Sequence, residues 1–308
     1  MKQREVVFYS EGDKLIGTIY LPDDYKEGEK RPTVIANSGW TGLNIVYPAM
    51  FARDLTKRGY VCMGFDYRGF KPSEGLTKYT TLEREVEDVC AAINFLKAQP
   101  EVDRNKIGLI GWGVGGAVCI EAARREKETV KVVATLNSFV DGDRWMRMGM
   151  GNDKYHRSLE LLEQDKITRA TTGDIVLRHP YIVYPNIEES GDFYIDSTLK
   201  KLNGGVGGKA DEDAGESFPT PMSTAIGDSF FRFNVEYALS KLECGVFVGH
   251  GKYNELHDKI EAEEAYRLAN GPKELYFVEG KHNEWMFDND PKLVGLMDAL
   301  SAFFAKFI

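Results

Sequence analysis

Side chains able to move a proton near neutral pH or to attack a carbonyl are few in this chain of 308 residues. There are five histidines, His156, His179, His250, His257 and His282, and four cysteines, Cys62, Cys90, Cys119 and Cys244. Imidazole ionises close to neutrality, so each histidine is a candidate acid, base or metal ligand. No two histidines share the spacing of a metal-binding pair and no cysteines form a CxxC pair, so neither a metal site nor a disulfide framework is expected. The cysteines lie in apolar or helical contexts and read as reduced core thiols. Backbone N–H groups offer a second kind of chemistry. Lys106–Ala123, KIGLIGWGVGGAVCIEAA, passes from an apolar strand through Gly111-Trp112-Gly113-Val114-Gly115-Gly116 into a helix that starts with small side chains. The glycines at 111, 113 and 116 satisfy G-x-G-x-x-G, the phosphate-cradling pattern of dinucleotide sites. That pattern also asks for an acidic residue at a strand end about 20 residues later. Here the next strand, Val130–Asn137, ends in Asn137-Ser138, and several elements precede the turn.

The elements that must carry these groups alternate. Glu5–Tyr9 and Leu15–Leu21 read as strands around the turn Glu11-Gly12-Asp13, and Arg31–Asn37 as a short buried strand ending at Ser38-Gly39. Tyr47–Arg58 has helical apolar spacing and stops at Gly59; Tyr60–Asp66 is another buried strand. Glu83–Gln99 carries Val86, Val89, Cys90, Ile93 and Leu96 on one helical face. After the helix Gly115–Arg125 and the strand Val130–Asn137 the rhythm breaks. It returns with strands Cys244–His250 and Glu274–Val278 and helices Lys259–Ala269 and Lys292–Phe307. Strands alternating with crossover helices predict an α/β architecture, a mainly parallel central sheet with helices on both faces. Residues 1–137 and 244–308 form the expected core domain, and 138–243 a cap-like insertion. Within it, NGGVGGKADEDAG near 203–215 cannot build a core and reads as a mobile loop.

Composition narrows the function classes. Hydrophobic residues make up 43% and charged residues 28%, enough apolar mass for a large core. A net charge of −9 argues against nucleic acid or an anionic membrane as partner. The N-terminus has no apolar signal region and no stretch reaches a membrane span, so a cytoplasmic protein acting on a small molecule is expected. Oligomeric state is open, a homodimer included.

The Gly-rich turn resembles the nucleophile elbow, G-x-S-x-G, of the α/β-hydrolase superfamily, where a sharp strand-to-helix turn projects the catalytic side chain above the sheet. Other segments extend the likeness. Asn37-Ser38-Gly39-Trp40 occupies the place of the oxyanion turn, and Asp66-Tyr67-Arg68-Gly69-Phe70 with Ser73-Glu74-Gly75 is similar to a D-x-R-G-x-x-x-S-x-G turn that supports neighbouring loops. His250-Gly251 leads to Asn254, where the superfamily pattern H-G-x-x-D has its acid, and Glu279-Gly280-Lys281-His282 matches the final x-G-x-H. The chain looks most like the dienelactone-hydrolase-like and serine-peptidase-like branches over nearly its whole length outside 138–243.

The resemblance implies His282 as acid/base, Asn254 as its orienting partner and Gly113 at the nucleophile position. It implies an oxyanion hole from the N–H of Val114 with that of Gly39 or Trp40. Asp141, Asp258 and Glu255 are alternative orienting acids. Trp112 and Ser38 are candidate pocket residues, Ser38 also a displaced nucleophile, while His250 and His257 read as structural. Glycine cannot form an acyl-enzyme, and Asn for Asp at the third triad position costs about 10⁴ in kcat in a serine protease. What remains is an oxyanion hole and a histidine. Three readings follow: a cofactor-free, noncovalent enzyme (lyase, C–C cleavage or direct attack of water on a carbonyl substrate); an ester, thioester or amide hydrolase whose nucleophile has been replaced by Gly113; and a non-catalytic binding protein on a hydrolase scaffold.

Overall fold

The computed structural model describes residues 1–40, 42–76, 79–178 and 222–308. The Gly-rich segment 203–215 and His179 lie outside them. The strands are β1 (Lys2–Ser10), β2 (Asp13–Leu21), β3 (Arg31–Asn37), β4 (Val61–Phe65), β5 (Val102–Trp112), β6 (Val130–Leu136), β7 (Leu177–Arg178), β8 (Met222–Ser223), β9 (Gly245–Gly251) and β10 (Lys273–Val278). The described helices are α1 (Pro48–Lys57), α2 (Leu82–Leu96), α3 (Val114–Arg125), α4 (Gly142–Met150), α5 (Asn152–Thr172), α6 (Ala225–Arg232), α7 (Glu236–Lys241), α8 (Lys259–Leu268) and α9 (Pro291–Phe304).

Eight strands form one sheet in the order β1-β2-β4-β3-β5-β6-β9-β10. β1 and β2 pair antiparallel, β2 joins β4 antiparallel, and the remaining pairs are parallel. This is the α/β-hydrolase fold. The central strands read VIA, VCMGF and GLIGW because both faces are covered, so every residue of β4 is buried and apolar alternation disappears. α1 and α9 pack against one face; α2, α3, α7 and α8 lie against the other.

The described part of 138–243 contributes α4–α7 and the two-stranded β7–β8 ribbon. Trp145, Tyr155, Leu162, Ile226 and Phe230 are buried in the same hydrophobic core as the sheet. α7 packs on α3 and α8 and completes the helical layer rather than standing above it.

The turn after β4 is held by charge. Arg68 and Asp88 are almost wholly buried and lie 2.6 Å apart, and Arg68 also reaches Glu11. Asp66 accepts the Asn44 N–H at 2.8 Å, and Ser73 donates to the Asp66 carbonyl at 2.6 Å. These bonds join the β1–β2 hairpin, the β4 turn and α2, which is the supporting role expected from the sequence.

The strand-to-helix turn at 111–116 is dictated by close approach. A Cβ at Gly111 would collide with the Gly115 carbonyl, at Gly115 with the Ser38 carbonyl, and at Gly116 with the Thr135 hydroxyl. Gly113 differs: a Cβ there meets nothing within 4 Å among the described residues, but its φ of 55° and ψ of −127° strain any L-residue. α3 is therefore wedged between the ends of β3 and β6, and residue 113 projects from the apex.

Two outcomes in urea unfolding follow. Asp88→Ala strands a buried guanidinium and is expected to cost about 3–5 kcal/mol, with the paired change Arg68→Met/Asp88→Leu costing clearly less. Gly115→Ala forces backbone apart and is expected to cost at least about 3 kcal/mol, against about 1–2 kcal/mol for Gly113→Ala, which carries only backbone strain. Equal losses at 113 and 115 would contradict this account of the turn.

Candidate active site

Three chain segments meet above the C-terminal ends of the strands: the elbow, the end of β6 and the loop after β10. The Gly113 N–H donates to the Leu136 carbonyl at 2.9 Å, tying the elbow to β6. One residue further, Asn137 has φ 49°, a left-handed conformation that asparagine tolerates better than most residues. Its side chain is fully buried; Nδ2 donates to the His282 carbonyl at 2.7 Å and Oδ1 accepts the Gly251 N–H at 2.6 Å.

His282 is buried beside the elbow. Its ring meets the Trp112 indole edge-on at 5.2 Å and stacks on His257 at 5.1 Å. His257 stacks in turn on Trp145, and Trp145 on Phe139. On the far side Trp112 stacks on Tyr47, whose hydroxyl donates to Asn283. The imidazole is thus one member of an aromatic column that restricts its rotation.

Its Nδ1 lies 3.1 Å from Asn254 Oδ1. That oxygen also accepts the backbone N–H groups of Leu256 and His257, at 3.0 and 2.9 Å. An atom that accepts two N–H groups is the amide oxygen, so Nδ1 must be the donor and Nε2 carries the lone pair. Burial, and then the nearby His250, pull the His282 pKa down to about 3. Burial likewise takes His250 to about 4 and His257 well below the ordinary histidine value. The ring is therefore neutral at physiological pH, and its Nε2 is free to accept a proton.

The oxyanion candidates converge on the same turn. Val114 is the first residue of α3, where N–H groups have no intrahelical partner. A Cβ on Gly39 would lie 3.2 Å from the Trp112 carbonyl, so the turn after β3 rests directly on the elbow. Trp40 is buried next to it.

Several sequence expectations need correction. Asp141 and Asp258 do not reach His282: each caps a helix, Asp141 accepting the Arg144 N–H at 3.0 Å and Asp258 the Ile260 N–H at 2.9 Å. Glu255 serves the His282 loop through its backbone, accepting the His282 N–H at 3.0 Å, and not through the ring. Trp112 and Ser38 are sealed beneath the elbow, 1% and 0% exposed, because the close approach of α3 to β3 leaves them no route to solvent. His257, read as structural, stacks on the His282 ring, a contact compatible with that reading. Neither its contact nor that of Asn137 left a signal in the sequence, since both arise between loops far apart along the chain. Among the described residues no group of three or more His, Cys, Asp or Glu side chains could hold a metal ion, and no helix is long and apolar enough to cross a membrane.

Known proteins resemble this chain. An uncharacterized 31.7 kDa protein from the traX-finO intergenic region of Escherichia coli is 26% identical over 266 residues, covering 85% of this chain and 87% of that protein. The thiohydrolase aneE of Aspergillus aculeatus is 31% identical over 133 residues, 42% of this chain and 40% of its own. The crystal structure of the α/β hydrolase GrgF from Penicillium superposes with a TM-score of 0.78 at 16% identity, over 100% of this chain and 99% of that one. Residues 11–170 match the model of the X-Pro dipeptidyl-peptidase (S15) family, a stretch that includes the turn after β3, the elbow and β6. With more than half of its length in that match, the chain belongs to the S15 family and is an enzyme of the α/β-hydrolase superfamily.

Proposed function

We propose that this enzyme hydrolyses a small activated acyl compound, a thioester above all, by direct attack of water and without an acyl-enzyme. The observation that carries the reading is the tautomer of His282: Nδ1 bound to Asn254 Oδ1 leaves Nε2 as a bare acceptor, and the elbow whose Trp112 packs on the ring has no side chain at residue 113. A water held over Gly113 attacks the carbonyl carbon while Nε2 takes its proton. The Val114 N–H and the Gly39–Trp40 turn stabilise the oxyanion that develops. Collapse of the tetrahedral intermediate breaks the carbonyl–sulfur bond, and the proton on Nε2 passes to the departing thiolate.

The electrostatics favour one class of substrate. A ring with a pKa near 3 is a weak base, and its imidazolium has only an amide, not a carboxylate, to support it. Such a site favours an electrophilic carbonyl and a leaving group that departs with little help. A thiolate, with a conjugate-acid pKa of about 8.5, fits better than an alkoxide. The relationship to a thiohydrolase agrees with that choice.

A second reading, a hydrolase that lost its nucleophile, draws on the seat of Asn254. One oxygen receiving three N–H donors is a setting that a carboxylate would fill equally well.

The deciding assay uses the S-acetyl thioester of N-acetylcysteamine and 4-nitrophenyl butyrate. The protein is expected to hydrolyse the thioester at a steady rate with no burst, and His282→Ala to lose about 100-fold or more. Gly113→Ser is expected to show a burst. An inert protein beside an active Gly113→Ser would favour the second reading, and two inert, folded proteins would leave a binding role.

The pH profile is an independent check. The base works in its neutral form, so activity is lost only as pH falls through the ring's pKa of about 3, and kcat is expected to stay flat from roughly pH 8 to 5. Asn254→Asp places a carboxylate against Nδ1–H, raises the ring pKa and moves that acid limb upward. A limb already centred near 6.5 without the substitution would contradict the assignment.

A further inference from the structure

We infer that Asn137 is the positioning residue of the active site, the side chain that fixes His282 and its partner Asn254 in one frame. The inference rests on the reading of His282 as the base. The hydrogen bonds form a closed circuit. Asn137 Nδ2 donates to the His282 carbonyl at 2.7 Å, and Asn137 Oδ1 accepts the Gly251 N–H at 2.6 Å. The Gly251 carbonyl accepts the Asn254 N–H at 3.1 Å, and Asn254 Oδ1 meets His282 Nδ1 at 3.1 Å. Two loops, one carrying the base and the other its orienting amide, are thus spanned by one side chain from a third element.

Only an amide meets the demand. One end must donate to a carbonyl and the other accept an N–H, a pair of roles that carboxylate, hydroxyl and apolar groups cannot fill at that spacing. The backbone enforces the aim. Asn137 sits at the end of β6, where its own N–H donates to the Gly249 carbonyl at 2.8 Å and φ is 49°. The side chain is fully buried, so water does not compete for either bond. With the amide gone, both loops lose their tie to the end of β6, and the direct links between them, Glu255 to the His282 N–H and the Tyr253 N–H to the Gly280 carbonyl, are left to hold the ring's frame.

The test uses the full chain with ¹⁵N-labelled histidine, the His282 signals being assigned by their loss in His282→Ala. Asn137→Asp keeps the acceptor for Gly251 but sets a carboxylate oxygen against the His282 carbonyl. Asn137→Gly suits the left-handed backbone and removes both bonds. The unsubstituted protein is expected to show one tautomer, Nδ1 protonated and Nε2 bare. Both variants are expected to show averaged ring-nitrogen shifts, and kcat for the thioester is expected to fall about tenfold or more with KM nearly unchanged. A purely structural role predicts lower thermal midpoints with the tautomer intact. If folded Asn137→Gly keeps both the single tautomer and kcat, the inference is overturned. Should Asn137→Asp fail to fold, Asn137→Gly decides alone. The NMR arm does not depend on turnover, so a protein that hydrolyses neither probe but loses its tautomer in Asn137→Gly would sink the proposed function and leave Asn137 as the positioning residue.

Discussion

The approach of α3 to the ends of β3 and β6 is the constraint on which the site depends. Gly115 lies against the Ser38 carbonyl and Gly116 against Thr135, distances open only to residues without a Cβ. Because the helix starts so close to the sheet, the chain must reverse within one residue, and Gly113 takes the strained conformation at the apex. The same wedge aims the N-terminus of α3 at the space above the strands and seals Trp112 under the turn, where it becomes a wall for His282. The strain at the turn is offset by the buried apolar contacts of α2, α3 and the central strands beneath it.

Burial has a chemical consequence. A histidine in solution is about half charged near pH 6.5. Packed between Trp112 and His257, with His250 close by, His282 keeps its neutral form. In a triad a carboxylate would offset that desolvation by stabilising the imidazolium. Here the partner is an amide whose oxygen is already shared by two backbone N–H groups, so it fixes the tautomer but adds no negative charge. The ring is thus oriented by an amide at Nδ1 rather than by a carboxylate.

Parts of this site are legible in the order of the residues. Gly111, Gly113 and Gly116 between an apolar run and a small-residue helix announce a tight turn because few backbones tolerate anything else there. His282 stands out because a strand, a glycine and a helix bracket it, and Asn254 because it follows His250-Gly251 at a recognisable spacing. Asp141 and Asp258, by contrast, lie near enough along the chain to serve as the acid, yet both are spent on helix N-termini. An aspartate two or three residues before a helical N–H is a cap by local geometry, and that competing use is the better reading.

The alternation of strands and helices, the elbow and the lack of a nucleophilic side chain at its apex are all written in the linear chain. Each is encoded by neighbours: periodicity, glycine spacing, residue type. Which groups surround His282 is settled only by the packing of distant segments. The aromatic column from Phe139 to Tyr47, the neutral state of His282 and the Asn137 circuit all join residues from separate loops. Their contacts depend on where β6, β9 and β10 end relative to one another. No local pattern carries that information, because hydrogen-bond direction and desolvation exist only once the strands are placed side by side.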